Sequence, residues 1–124
     1  MKILYLEDDL MQQLTVSSIA EGLGHSVVCE STLEAFKLRL QSESFDLILM
    51  DNLLEDDVNS FKEIDYVREV VGPSVGIVGL TGADSFKKLT KKYKDISLLN
   101  HLICKPISAD NIESAFFFVG GGAR

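Results

Sequence analysis

Short apolar runs alternate along this chain with stretches whose apolar residues recur at helical spacing. This pattern is typical of strands separated by helices. Short apolar runs predict five strands, at 3–6, 27–29, 45–50, 75–80 and 101–104. Helical spacing predicts a helix after each strand, at 10–21, after Ser31 (a capping residue with Glu34), over 61–71, after Asp84, and from Ser108 or Asp110 to Gly120. Strands joined through helices run parallel, so the pattern predicts an α/β fold, a doubly wound parallel sheet with helices on both faces.

Within the predicted helices, particular residues are expected to mark the buried face or the end. In the first helix the apolar positions are Leu10, Leu14, Ile19 and Ala20, and Gly22 and Gly24 follow them. The third helix is expected to stop at Gly72-Pro73.

The size and composition of the chain fit one ordinary globular domain. It has 124 residues, of which 46% are hydrophobic and 25% charged. We expect one domain over residues 1–119 and a flexible glycine-rich end at 120–124. No apolar stretch is long enough to span a bilayer, and the short N-terminal run is no signal peptide, so a cytoplasmic location without membrane contact is expected. Cys29 and Cys104 are expected to be reduced.

The charge of the chain is acidic overall but unevenly distributed. The formal net charge of −7 argues against direct binding to a nucleic-acid backbone. A basic cluster nevertheless occupies the predicted fourth helix: Lys87, Lys88, Lys91, Lys92 and Lys94. These lysines form either a solvated helix face or a contact surface for an acidic partner protein. The phenylalanines at 116–118 similarly predict either core packing with one exposed ring or a docking or dimer surface.

Candidate chemistry collects at the carboxyl ends of the predicted strands, where open parallel sheets bind their ligands. Strand 1 is followed by Glu7, Asp8 and Asp9, and strand 3 by Asp51. If these two strands are neighbours, Glu7, Asp8 and Asp51 converge, and their repulsion calls for a protonated acid or a cation. Hard carboxylate oxygens without His or Cys suit Mg²⁺. The alternative is that these acids only cap helices or lie in solvated loops.

Two further strand ends suggest a use for such a site. Strand 4 ends in Thr81 and strand 5 in Lys105. A carboxylate such as Asp51 can attack phosphorus and form an acyl phosphate. Mg²⁺, the Lys105 ammonium and the Thr81 hydroxyl would then each neutralise one phosphoryl oxygen.

These motifs together resemble the response-regulator receiver domains of two-component signalling, over essentially the whole chain. The matching segments are ILYLEDD, FDLILMD, GLTG and CKP, which start at residues 3, 45, 79 and 104. The resemblance implies the strand order 2-1-3-4-5. It also implies a Mg²⁺-dependent phosphoacceptor at Asp51, assisted by Thr81 and Lys105. The implied metal ligands are Glu7, Asp8, Asp51 and the backbone carbonyl of Leu53, with Asp9 in reserve, and the Lys105–Pro106 bond is often cis in the family.

The resemblance also carries expectations about partners. The phosphoryl donor is expected to be a histidine kinase or a phosphotransfer protein. A downstream protein is expected at the surface of helix 4, strand 5 and helix 5, with a homodimer possible. No enzyme activity is expected beyond the domain's own phosphorylation and dephosphorylation.

The chain departs from the family pattern at two places. The loop after Asp51 has no proline, and Asn59 stands where glycine is usual; strand 5 carries Leu102 where an aromatic residue is frequent. An alternative is therefore a receiver-like interaction module that no longer switches by phosphorylation. A second alternative is a phosphatase resembling the haloacid dehalogenases, but Leu53 occupies the position of their acidic proton donor.

Overall fold

The computed structural model describes residues 1–51, 60–82, 101–104 and 108–119. The strands are β1 (Lys2–Leu6), β2 (Ser26–Glu30), β3 (Leu47–Asp51), β4 (Gly76–Thr81) and β5 (His101–Cys104). The helices are α1 (Leu10–Gly22), α2 (Leu33–Ser42), α3 (Ile64–Val71) and α4 (Ala109–Val119), with a 3-10 turn at Ser60–Glu63. The label α4 thus belongs to the fifth predicted helix, since the fourth prediction and its lysines lie outside the described residues.

The five strands form one parallel sheet in the order β2-β1-β3-β4-β5. This confirms the predicted doubly wound α/β fold and its strand order. β3 lies at the centre, and all five of its residues are buried. A continuous apolar strand is expected where helices cover both faces of a sheet.

The sheet separates two hydrophobic cores because successive side chains of a strand point to opposite faces. The first core packs α2 and α3 against one face and contains Leu4, Leu6, Phe36, Leu40, Phe45, Ile48, Met50, Phe61, Ile64, Val67 and Ile77. The second packs α1 and α4 against the other face and contains Ile3, Tyr5, Val16, Ala20, Leu47, Leu49, Val78, Leu80, Ile103, Ile112, Ala115 and Phe116. Phe116 is therefore core, as one interpretation of the phenylalanines predicted; the side chains of the next two fall outside the described part.

Several predicted boundaries and faces differ from the structure. The cap of α2 is Thr32, whose hydroxyl accepts a hydrogen bond from the Ala35 amide, so the prediction of Ser31 was wrong. In α1, Val16 and Ala20 are buried, whereas Leu10 and Leu14 are 70% and 63% exposed. Apolar spacing in this helix therefore predicted its extent better than its buried face.

Other boundaries agree with the predictions. Gly72 ends α3 with a φ of 82°, a conformation that favours glycine. Ser108 caps α4, because its hydroxyl accepts a hydrogen bond from the Asn111 amide.

Cys29 and Cys104 lie on opposite edge strands of the sheet, β2 and β5. Strands are spaced by about 4.8 Å, so the two edges are about 19 Å apart, whereas a disulfide requires Cα atoms within about 7 Å. Cys29 is a free thiol. None of the helices in the described ranges is long and apolar enough to cross a membrane.

Candidate functional site

Three carboxylates meet at the carboxyl edge of the sheet. Asp51 is the last residue of β3, and Glu7 and Asp8 directly follow β1. β1 and β3 are neighbours with Leu6 paired to Met50, so Glu7 and Asp51 each come one residue after a paired position. One carboxylate oxygen from each of the three acids lies within 4.8 Å of the others. The structure thus brings these predicted site residues together, as the strand order required.

The electrostatics of this cluster favour a cation. Glu7 and Asp51 are only 1% and 2% exposed, and Asp8 is half-buried. Two ionised carboxylates at such a distance repel by about 3–4 kcal/mol at an effective dielectric of about 20. A divalent ion among the three would replace this repulsion with attraction. Clustered oxygen ligands are the set that Mg²⁺ prefers, so the residues fit the predicted metal.

Glu7 is fixed by hydrogen bonds at its backbone and at its side chain. Its amide donates to the Glu30 carbonyl at 3.0 Å, and its carbonyl accepts from Gln13 Nε2 at 2.5 Å. Its Oε1 accepts a hydrogen bond from the hydroxyl of Tyr5 at 3.1 Å. Burial, the negative charge of Glu7 and the hydrogen bond to it raise the pKa of Tyr5, so this phenol stays protonated and donates. Glu7 therefore has a defined position in the cluster.

Asp9, the reserve candidate for the metal, has a different role. Its side chain is the N-cap of α1, where Oδ1 accepts hydrogen bonds from the amides of Met11 and Gln12 at 2.8 and 3.3 Å. Asp9 is exposed and does not belong to the acidic cluster. The helix-cap interpretation thus holds for Asp9, while the other two acids after β1 converge on Asp51.

The backbone of Asp51 is also held in place. The hydroxyl of Ser60, which is fully buried, donates a hydrogen bond to the Asp51 carbonyl. This contact ties the end of β3 to the start of the 3-10 turn. Sequence analysis did not identify Ser60, because nothing in its neighbourhood indicates which carbonyl it would reach.

Thr81 is the last residue of β4 and is fully buried. Within the described part of the chain its hydroxyl has no hydrogen-bond partner, which is unusual for a buried hydroxyl and leaves it available to a ligand. By strand alternation Thr81 belongs to the α2–α3 face with Ile77, whereas Asp51 belongs to the opposite face with Leu49. The two residues thus approach the sheet edge from opposite faces.

Two predicted site residues, Lys105 and Leu53, lie outside the described residues. Cys104, which precedes Lys105 in sequence, pairs with Thr81 in the register of β4 and β5. Leu102, at the position where an aromatic residue is frequent in receiver domains, is half-buried and packs against the α2–α3 core.

Solved structures share this architecture over nearly the whole chain. A receiver domain from Clostridium thermocellum aligns with a TM-score of 0.79 and 18% sequence identity, covering 95% of this chain and 92% of that one. The receiver domain of the sensor histidine kinase PA1611 from Pseudomonas aeruginosa aligns with a TM-score of 0.80 and 20% identity, covering 97% and 98%. The chain has the receiver-domain fold. That second structure carries a magnesium ion in its active-site cleft.

The same fold occurs within longer proteins. NtrX from Brucella abortus aligns with a TM-score of 0.82 and 18% identity, but the alignment covers 98% of this chain and only 27% of NtrX. No family model matches the chain, and no curated protein is significantly similar to it in sequence. The receiver-domain resemblance therefore rests on the short motifs of the sequence and on the shared fold.

Proposed function

We propose that this chain is a phosphoacceptor receiver domain of two-component signalling, phosphorylated on Asp51 in the presence of Mg²⁺. The single observation that carries the proposal is the convergence of Glu7, Asp8 and Asp51 within 4.8 Å at the carboxyl edge of a receiver-type sheet. The magnesium-bearing receiver domain of PA1611 supports the choice of metal.

The proposed reaction is the transfer of one phosphoryl group to a carboxylate. An Asp51 oxygen attacks phosphorus, a P–O bond forms, and the bond from phosphorus to the donor breaks, so that an acyl phosphate results and the donor leaves with its electron pair. Mg²⁺, when bound, would neutralise charge on the transferred group.

Each residue of the site has an assigned role in this proposal. Asp8 and Asp51 would bind the metal directly, Glu7 through water, and the Leu53 carbonyl would complete the protein ligands. The Thr81 hydroxyl and the Lys105 ammonium would each contact a phosphoryl oxygen. The buried Thr81 hydroxyl has no hydrogen-bond partner among the described residues, and this supports its assignment, because a phosphoryl oxygen would provide a partner.

The proposed donor is a histidine kinase or a phosphotransfer protein. The proposed output is a change at the surface of the predicted fourth helix, β5 and α4, where a downstream protein or a second copy would bind. We propose no enzymatic activity on other substrates and no direct binding of nucleic acid or membrane. The site lies inside the cytoplasm in this proposal.

Incubation with acetyl phosphate tests the phosphoacceptor directly. Intact-protein mass spectrometry should show one added phosphoryl group when MgCl₂ is present and none in excess EDTA. Asp51→Asn should abolish the adduct. Asp46→Asn is the matched control, since Asp46 is exposed, precedes the same strand at its other end and should leave phosphorylation unchanged. An adduct that persists in Asp51→Asn would exclude the assigned site.

A non-switching interaction module is the second candidate, and the packing of Leu102 favours it. A half-buried leucine packed against the α2–α3 core offers no aromatic ring to couple Thr81 to the surface. Amide NMR spectra with and without acetyl phosphate distinguish the two functions. Shifts in β5 and α4 that accompany the adduct indicate a switch, whereas an adduct with shifts confined to the acidic cluster indicates the module.

A further inference from the structure

We infer that Tyr5 is a positioning residue of the metal site, whose hydroxyl orients the Glu7 carboxylate for Mg²⁺. This inference rests on the proposed function and extends it to a residue outside the acidic cluster. In the ILYLEDD motif Tyr5 is one residue of the apolar strand that precedes the acids, and the motif assigns it no role in the site.

The contact between Tyr5 and Glu7 follows from strand geometry and burial. Residues two apart on a strand point to the same face, so the Tyr5 ring and the Glu7 carboxylate both lie on the α1–α4 side. The Tyr5 side chain is fully buried, and a buried phenol hydroxyl requires a hydrogen-bond partner. Glu7 Oε1 is that partner, at 3.1 Å.

The hydrogen bond from Tyr5 reaches the Glu7 carboxylate itself, whereas two others hold the Glu7 backbone. Glu30 and Gln13 hold the Glu7 backbone at its amide and its carbonyl. A donor on Oε1 restricts the rotation of the Glu7 side chain.

A fixed carboxylate matters for magnesium in particular. Mg²⁺ requires nearly ideal octahedral geometry and usually keeps several waters, so a carboxylate already oriented toward such a water avoids an ordering cost on binding. Loss of a hydrogen bond that orients a group around a metal site typically weakens metal affinity about 10–100-fold. Tyr5 is thus assigned to metal affinity, acting through Glu7 without touching the ion.

Isothermal titration with MgCl₂ alone tests this assignment. Tyr5→Phe keeps the ring and removes only the hydroxyl, and it should weaken Mg²⁺ binding about 10-fold or more at a temperature where the protein is fully folded. Tyr66→Phe is the matched control: its hydroxyl accepts a hydrogen bond from Gln41 at 2.5 Å at an exposed site, and its removal should leave Mg²⁺ affinity unchanged.

A double-mutant cycle separates an effect through Glu7 from a general loss of structure. In a Glu7→Ala background Tyr5→Phe should change Mg²⁺ affinity by less than about twofold, because the group it orients is gone. Equal fold-changes in both backgrounds would overturn the inference.

A measurement on the unmodified protein keeps the inference testable if Tyr5→Phe fails to fold. The aromatic NMR signals of Tyr5 should shift in step with added MgCl₂, while those of Tyr66 stay fixed. An aromatic NMR signal of Tyr5 that does not shift at saturating MgCl₂ would refute the inference.

Failure of the inference and failure of the proposed function look different. If the wild type binds Mg²⁺ and Tyr5→Phe binds it equally well, the role of Tyr5 is wrong and the proposed function stands. If the wild type binds no Mg²⁺ at millimolar concentration, the proposed function fails and the inference fails with it.

Discussion

Ser60 donates a hydrogen bond from its buried hydroxyl to the backbone carbonyl of Asp51, nine positions earlier in the chain. The contact joins the end of β3, which carries the candidate phosphoacceptor, to the 3-10 turn that leads into α3. The backbone that carries Asp51 is therefore held from the sheet on one side and from the 3-10 turn on the other.

Ser60→Ala is expected to lower the free energy of unfolding by about 1–3 kcal/mol, because the buried Asp51 carbonyl loses the hydrogen bond from Ser60. Urea unfolding followed by circular dichroism measures the change. Ser42→Ala provides the control, since the Ser42 hydroxyl makes an exposed 3.3 Å contact at the end of α2 and should change stability by less than about 0.5 kcal/mol. Equal losses of unfolding free energy in the two variants would show that the Ser60 hydrogen bond stabilises the protein no more than the exposed Ser42 contact does.

Asp51→Asn is expected to stabilise the metal-free protein at neutral pH, by about 1–4 kcal/mol, because it removes one charge from a buried acidic cluster. Urea unfolding in EDTA measures this gain, and saturating MgCl₂ should reduce it since the wild type then gains a bound ion. Asp65→Asn, at an exposed position of α3, should remain within about 0.5 kcal/mol of the wild type. A metal-free Asp51→Asn that is less stable than the wild type would argue against mutual repulsion in the cluster.

The buried face of α1 can be checked by substitution. Val16→Ala should cost about 1–3 kcal/mol, since Val16 lies in the α1–α4 core. Leu14→Gln should cost less than about 0.5 kcal/mol, because Leu14 is 63% exposed. Thermal unfolding of both variants gives the comparison, and a larger loss for Leu14→Gln would contradict the observed orientation of the helix.

His25 should make stability depend on pH in a defined direction. Burial, and secondarily the N-terminal ammonium, lowers the pKa of His25, whose Nδ1 lies 2.9 Å from the Met1 nitrogen. The unfolded chain therefore binds the proton more readily than the folded one, so the folded state loses stability as pH falls below the unfolded pKa of about 6.5.

The comparison that isolates this group is His25→Gln against the wild type. The free energy of unfolding of His25→Gln, minus that of the wild type, should increase as the pH is lowered from about 7.5 to about 5.5 in urea titrations. A difference that stays constant across this range would show that His25 titrates equally in both states.

Sequence patterns predicted the architecture because the physics that sets it is local. The length of each segment and the spacing of its apolar residues distinguish strands from helices. The strands run parallel because helices connect them. The meeting of Glu7, Asp8 and Asp51 required in addition that strands 1 and 3 be neighbours, which the receiver-domain resemblance implied, because carboxyl ends of neighbouring parallel strands share an edge.

Local patterns did not predict contacts that depend on the exact path of the chain. Ser31 and Thr32 are both good caps, and the choice between them depends on where α2 first turns. Leu10, Leu14 and Val16 are all apolar, and only the packing of α1 against the sheet determines that Val16 is buried and the two leucines are exposed. Tyr5 did carry a signal, since a phenol two residues before an acid on a strand shares its face.

The separation of the two cores by the sheet has a consequence for any ligand bound at its edge. Asp51 belongs by strand alternation to the layer of α1 and α4, and Thr81 to the layer of α2 and α3. A phosphoryl group on Asp51 that also accepted a hydrogen bond from Thr81 would join the two helical layers at the edge of the sheet. Phosphorylation of Asp51 would then act on both helical layers at the same time.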